Sequence, residues 1–133
     1  MVQFPQHTLK MACEKIQGWG GPYTSVYAYM LQGDELVLEA HPGRHTDHTR
    51  IPVGQGVCGT AVAERQDQNI PDVGAIGNYL ACNLYTKSEL VVLIRRGEHI
   101  LGQLDVDSDV PAGFGAREHA DVKQVADALA VLL

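Results

Sequence analysis

The sequence predicts an α+β domain, a mostly antiparallel sheet with helices packed against it. Two observations carry most of that expectation. Amphipathic segments at helical spacing stand at both ends of the chain, and two pairs of apolar runs joined by turn residues lie between them. The third is the order of the elements: helix, hairpin, short helix, short strands, hairpin, helix. It lacks the repeated alternation of strand and helix that builds a doubly wound parallel sheet.

From Pro5 to Gln17, Leu9, Ala12, Cys13 and Ile16 recur at helical spacing; Pro5 is tolerated in a first turn and Gly18 marks the end. Beyond the Gly20-Gly21-Pro22 breaker, Thr24 to Gln32 is rich in Tyr, Val and Met. Gly33-Asp34 is a turn signal and Glu35 to His41 resumes the apolar run, which makes a hairpin. The polar stretch from His41 to Thr49 has no periodicity and reads as a surface loop. Gly54 to Glu64 opens with glycines and turns Ala- and Val-rich, predicting a short helix from near Val57. Asn69 to Val73 reads as a short edge strand, because Pro71 cannot donate a ladder hydrogen bond. Tyr79 to Tyr85 carries no decisive signal for either element type. Glu89 to Arg95 and His99 to Asp107, around Arg96-Gly97-Glu98, form the strongest strand pair and are expected at the centre of the sheet. From Ala116 to Leu133, Val122, Val125, Ala126, Leu129 and Leu132 give a closing amphipathic helix.

The 133 residues suit one compact core rather than two. With 45% hydrophobic and 20% charged residues, the composition excludes disorder, collagen-like repetition and a disulfide scaffold. Ten Lys and Arg against sixteen Asp and Glu leave a formal charge of −6 with no local basic cluster, so neither nucleic acid nor a membrane surface is an expected partner. No run approaches the ~18 apolar residues of a spanning helix, and the N-terminus lacks the apolar stretch of a signal peptide, so a cytoplasmic location is expected. Cys13, Cys58 and Cys82 are an odd set, expected to act as thiols rather than as a disulfide framework.

Several local patterns carry little. Gly54-Gln-Gly56-Val-Cys-Gly59 matches a dinucleotide-binding string, but Arg50-Ile-Pro52 leads into it instead of a buried parallel strand, and a tight turn into a helix is the simpler reading. His41, His45, Asp47 and His48 share one loop without the spacing of a metal motif, so no metal site is expected there or elsewhere, and no cofactor. Cys13 falls on the apolar stripe of the first helix, as an inert buried thiol does. Tyrosines on half-buried strands are commonplace; Tyr79 and Tyr85 stand apart because they flank Cys82. Asp105 and Asp107 alternate with Leu104 and Val106, which puts two carboxylates on one face of an otherwise apolar strand. Glu89 begins the partner strand and can approach that pair, an arrangement suited to lining a polar cavity.

Arg50-Ile-Pro-Val-Gly-Gln-Gly-Val-Cys58-Gly-Thr-Ala61, Asn69-Ile-Pro-Asp-Val73, Leu80-Ala-Cys82, Ser88-Glu89 and Leu104-Asp-Val-Asp-Ser108 follow one another in an order that closely resembles the GAF-domain free methionine-(R)-sulfoxide reductases. The resemblance spans about Arg50 to Phe114. It implies a single GAF domain over residues 1–133: a central antiparallel sheet of five or six strands, N- and C-terminal helices on one face and a loop-covered ligand pocket on the other. It also implies that Cys82 attacks the sulfoxide sulfur and becomes a sulfenic acid, while an acid protonates the departing oxygen. Glu89, Asp105 and Asp107 match the family's acidic pocket residues and are expected to bind the ammonium of free methionine sulfoxide and polarise its S=O bond. Tyr79 or Tyr85 would pack near the methyl sulfur. A homodimer is the expected assembly.

One position departs from the family. The cysteine that resolves the sulfenic acid usually stands two residues before Arg-Ile-Pro, and here that position is His48. Asn83 also follows Cys82 where relatives often carry Asp. Three readings accommodate the change. Cys58 resolves Cys82 directly, which requires Cα atoms within about 7 Å; or thioredoxin or a small-molecule thiol attacks the sulfenic acid, with His48 as a proton carrier; or the domain is a non-catalytic GAF sensor of small molecules. The reductase ranks first because the nucleophile and all three carboxylates stay in register.

Overall fold

The structure is a computed structural model and describes residues 3–77 and 85–133. In chain order the elements are α1 (Gln3–Gly18), β1 (Ser25–Gln32), β2 (Glu35–Ala40), β3 (Arg50–Pro52), α2 (Gly56–Glu64), β4 (Gln68–Ile70), β5 (Ser88–Arg96), β6 (His99–Ser108) and α3 (Ala116–Leu132), with one 3-10 turn at Val73–Ala75. The six strands form one sheet in the order β3-β2-β1-β6-β5-β4, and each described pairing is antiparallel. Both hairpins close with two-residue loops, Gln32 pairing with Glu35 and Arg96 with His99. Gly33 and Gly97 take the first loop position at φ 63° and 59°, a conformation that costs glycine nothing.

Three expectations are adjusted. The second hairpin does not hold the centre of the sheet alone: β1 covers the open edge of β6 from Ser25↔Asp107 to Met30↔Gly102, so β1 and β6 are the middle strands and β5 lies one place out. Arg50–Pro52, unassigned from sequence, is a three-residue edge strand on β2, too short to show a period. The predicted edge strand at Asn69–Val73 is observed as β4, which stops at Ile70, before Pro71.

The period of two along β1, β5 and β6 sends alternate side chains to two different cores. Val26, Ala28, Leu90, Val92, Ile94, Leu104 and Val106 pack against Leu9, Cys13 and Ile16 of α1 and Val122, Ala126 and Leu129 of α3. Each such large aliphatic side chain contributes about 1.5–3 kcal/mol on burial, which fixes both terminal helices to that face. Tyr27, Tyr29, Val91 and Leu93 point the other way, into a smaller core closed by Leu36, Ile51 and the α2 residues Val57, Cys58, Ala61 and Val62. Among the described residues no helix is long and apolar enough to cross a membrane.

Candidate functional site

On the face covered by α2, β6 presents Gln103, Asp105 and Asp107 at alternate positions, while Leu104 and Val106 face the helices. Glu89 of β5 stands directly opposite Asp107, and Val91 opposite Asp105, so Glu89 and Asp105 are diagonal neighbours. Glu89, Asp105 and Asp107 are 3%, 0% and 1% exposed. Carboxylates facing one another across strands repel, and burying them removes the water that would screen the repulsion. An arrangement this unfavourable to folding marks a place where chemistry is held.

The glycine-rich turn supplies the fourth member. The backbone N–H of Gly54 donates to the carbonyl of Gly59, and the N–H of Gly59 to that of Gln55. A Cβ at Gly59 would lie 2.5 Å from the Pro52 carbonyl oxygen, so only glycine allows α2 to start so close to β3. The string that resembles a dinucleotide motif thus follows a short antiparallel edge strand and serves to place Cys58. Its Sγ lies 3.9 Å from Glu89 Oε2. Cys58, Glu89, Asp105, His48, Ile51 and Gln55 are among the residues around a cavity of about 10 Å³.

The charges in this cage are coupled. Burial pushes the Glu89 carboxyl well above its ordinary value, and the nearby Asp105 and Asp107 push it further. Burial also raises Asp105, opposed by hydrogen bonding to Glu89 and by the nearby His48. Among the described residues no N–H or hydroxyl reaches Glu89 Oε1 or either Asp105 oxygen.

The loop at residues 41–49 is tied down beside the cage. Tyr27 and Tyr29 donate their hydroxyls to the carbonyls of Arg44 (3.0 Å) and His48 (2.8 Å). Arg44 makes a two-pronged ion pair with Asp109 at 2.6 and 2.5 Å, which lowers the Asp109 carboxyl below its ordinary value. The Arg44 guanidinium also lies over the Tyr85 ring, 5.2 Å from its centroid.

Of the residues expected at the site, Glu89, Asp105, Asp107 and Cys58 come together, and His48 joins them with a buried Nδ1 that has no hydrogen-bond partner among the described residues. Tyr85 is 66% exposed, its ring beneath the Arg44 guanidinium. Cys82 and Tyr79 lie outside the described residues. In the histidine-rich loop, His45 pairs with Asp47 at the surface, 2.9 Å apart. Cys13 is buried under the helices, its thiol pushed up to about 12 by burial first and by Glu14 second. Sequence reasoning missed Gln103, fully buried in line with the two aspartates and with neither amide atom hydrogen-bonded among the described residues. Its position two residues before Asp105 was the available signal. The Arg44–Asp109 pair, 65 residues apart in the chain, left none.

The sequence pattern of the GAF domain matches residues 6–133. The chain is similar to the free methionine-R-sulfoxide reductase of Escherichia coli (strain K12), 40% identical over 97 residues, covering 73% of this chain and 58% of that relative's length. Among solved structures it is similar to the type II free methionine-R-sulfoxide reductase from Thermoplasma acidophilum, with a TM-score of 0.93, 35% identity and coverage of 98% of this chain and 92% of that one. It is also similar to the free methionine-R-sulfoxide reductase from Neisseria meningitidis in complex with its substrate, with a TM-score of 0.88, 30% identity and coverage of 96% and 76%.

Proposed function

The chain belongs to the GAF-domain free methionine-R-sulfoxide reductase family, and from that premise we propose that it reduces free L-methionine-(R)-sulfoxide to methionine with Cys82 as nucleophile. The observation that carries the proposal is the cage itself: three acidic side chains, almost completely buried on neighbouring strands, two of them lining a cavity beside a thiol. A solvated surface gives no such pattern, and a purely structural core would exclude it.

The cage holds the ammonium of the free amino acid, which offsets its negative charge. A peptide-bound sulfoxide lacks that cation and leaves the carboxylates unpaired. The thiolate of Cys82 attacks the sulfoxide sulfur and Glu89 supplies a proton to its oxygen; the oxygen then passes to the Cys82 sulfur as the substrate S–O bond and the transient S–S bond break, leaving methionine and a Cys82 sulfenic acid. Cys58 then attacks the Cys82 sulfur, releasing water and forming a disulfide. Two thiol equivalents from thioredoxin or a small-molecule thiol restore both cysteines. His48, on the cage wall where relatives carry a resolving cysteine, acts as the proton carrier in that second stage.

A reductant-coupled assay with the separated R and S sulfoxides of free methionine tests this. Turnover of the R form alone is expected, with loss of activity in Cys82→Ser. One equivalent of substrate, without reductant, is expected to leave a Cys58–Cys82 disulfide or a sulfenic acid trapped by dimedone. Thermal stabilisation by the sulfoxide with unmodified thiols and no product would instead identify a sensor module.

A further inference from the structure

We propose that the cavity beneath α2 is also a site for a single zinc-like divalent cation, ligated by Cys58, Glu89 and Asp105, with His48 completing a tetrahedral set. One donor atom from each of the first three lies within 4.8 Å of the others, and all three residues are buried. That spacing needs only small side-chain rotations to reach metal–ligand distances near 2.0–2.3 Å (~2 Å). The fourth ligand is close by: His48 lines the same cavity, and its buried Nδ1 has no hydrogen-bond partner among the described residues. Its backbone is held beside the cavity by the Tyr29 hydroxyl at 2.8 Å and by Thr46 Oγ1 at 3.1 Å.

Two further observations point to a cation. Glu89 and Asp105 line this space, and Glu89 Oε1 and both Asp105 oxygens are buried without a donor from any N–H or hydroxyl among the described residues. The cavity, about 10 Å³, has room for one ion or one water and little else. A set of one sulfur, one imidazole nitrogen and two carboxylates in so small a space suits zinc and its analogues. Calcium and magnesium want more oxygens and, for magnesium, retained water. The inference stands on the donor set and not on turnover, and Cys82 takes no part in it. Its consequence for the proposed reaction is competition: the ion occupies the place of the substrate ammonium, and a coordinated Cys58, its thiol proton lost to solvent, is held away from disulfide chemistry.

The test is a titration of the reduced full chain with Co²⁺, followed by Zn²⁺. The expected result is one equivalent of cobalt bound, with a thiolate-to-metal charge-transfer band, tetrahedral visible bands, and loss of both on adding Zn²⁺. Cys58→Ala should remove the charge-transfer band. Asp105→Asn should weaken binding by at least about tenfold, and Cys82→Ser should leave both band and affinity unchanged. His48→Ala should keep the charge-transfer band while altering the visible bands. Absence of saturable binding, or a charge-transfer band that follows Cys82 rather than Cys58, overturns the proposal whether or not the chain proves to be a reductase.

Discussion

The two faces of β5 and β6 are buried equally and spent differently. Toward the terminal helices, Leu90, Val92, Leu104 and Val106 are 0–1% exposed; toward α2, from the same strands, Glu89, Gln103, Asp105 and Asp107 are 0–3% exposed. The hydrocarbon face gains from every side chain it hides. The polar face loses, because carboxyls are desolvated next to one another with little to offset them. The period of two lets a single strand do both, so the helix-covered core supports a cage that could not fold alone. The two buried thiols divide the same way: Cys13 packs among aliphatic side chains, whereas Cys58 faces Glu89.

Substitutions on either face separate these roles. The largest effect is expected from Cys82→Ser, which should abolish sulfoxide reduction while the melting temperature and circular dichroism stay unchanged; normal turnover would remove the nucleophile from the account. Next is Leu104→Ala on the helix face, expected to cost about 2–5 kcal/mol in denaturant unfolding and to affect catalysis only through the population that unfolds. Glu89→Gln should do the opposite, with activity falling and stability rising. Because the buried Glu89 carboxyl titrates above its ordinary value of 4.5, the unfolded chain releases this proton first, and stability falls as pH rises from there toward the folded-state value. The melting-temperature advantage of Glu89→Gln should therefore be absent in acid below that range and grow as pH rises through it. Equal pH dependence in both proteins would show that the carboxyl is not desolvated. A smaller chemical contrast is expected between thiols: with its pKa near about 12, Cys13 should resist alkylation in the native state and react only on unfolding.

The smallest effect is expected at the rim. The Arg44 and Asp109 side chains are 37% and 36% exposed, so Asp109→Asn should change stability by no more than about 1 kcal/mol. If the clasp orders the loop beside the cage, the same variant should raise KM with kcat little altered. A large loss of stability instead would place Arg44–Asp109 in the framework of the fold.

Most of the architecture was legible because its signals are local. The terminal helices declare themselves by spacing, and both hairpins by a turn between apolar runs; even the cage was visible in part, since Asp105 and Asp107 interrupt a strand that otherwise reads as core. What escaped was set by tertiary contact. Arg50–Pro52 is a strand only because β2 offers it an edge. Cys58 meets Glu89 because a glycine turn brings α2 down onto the sheet. Gln103 is enclosed because both its neighbours in register, Tyr29 and Leu93, are buried, a placement that the strand pairing sets. Tyr85, read as a pocket residue from its place near Cys82, also meets Arg44, 41 positions earlier, a pairing with no periodic signature.

The central claim is that the buried carboxyl cage selects a free amino acid by its ammonium group. The most direct measurement compares kcat/KM for free L-methionine-(R)-sulfoxide with that for its N-acetyl derivative, which keeps the sulfoxide and removes the cation. The account predicts turnover of the free compound and at least about a hundredfold loss with the acetylated one, the scale set by a buried charge left unpaired. Equal turnover of the two would contradict it.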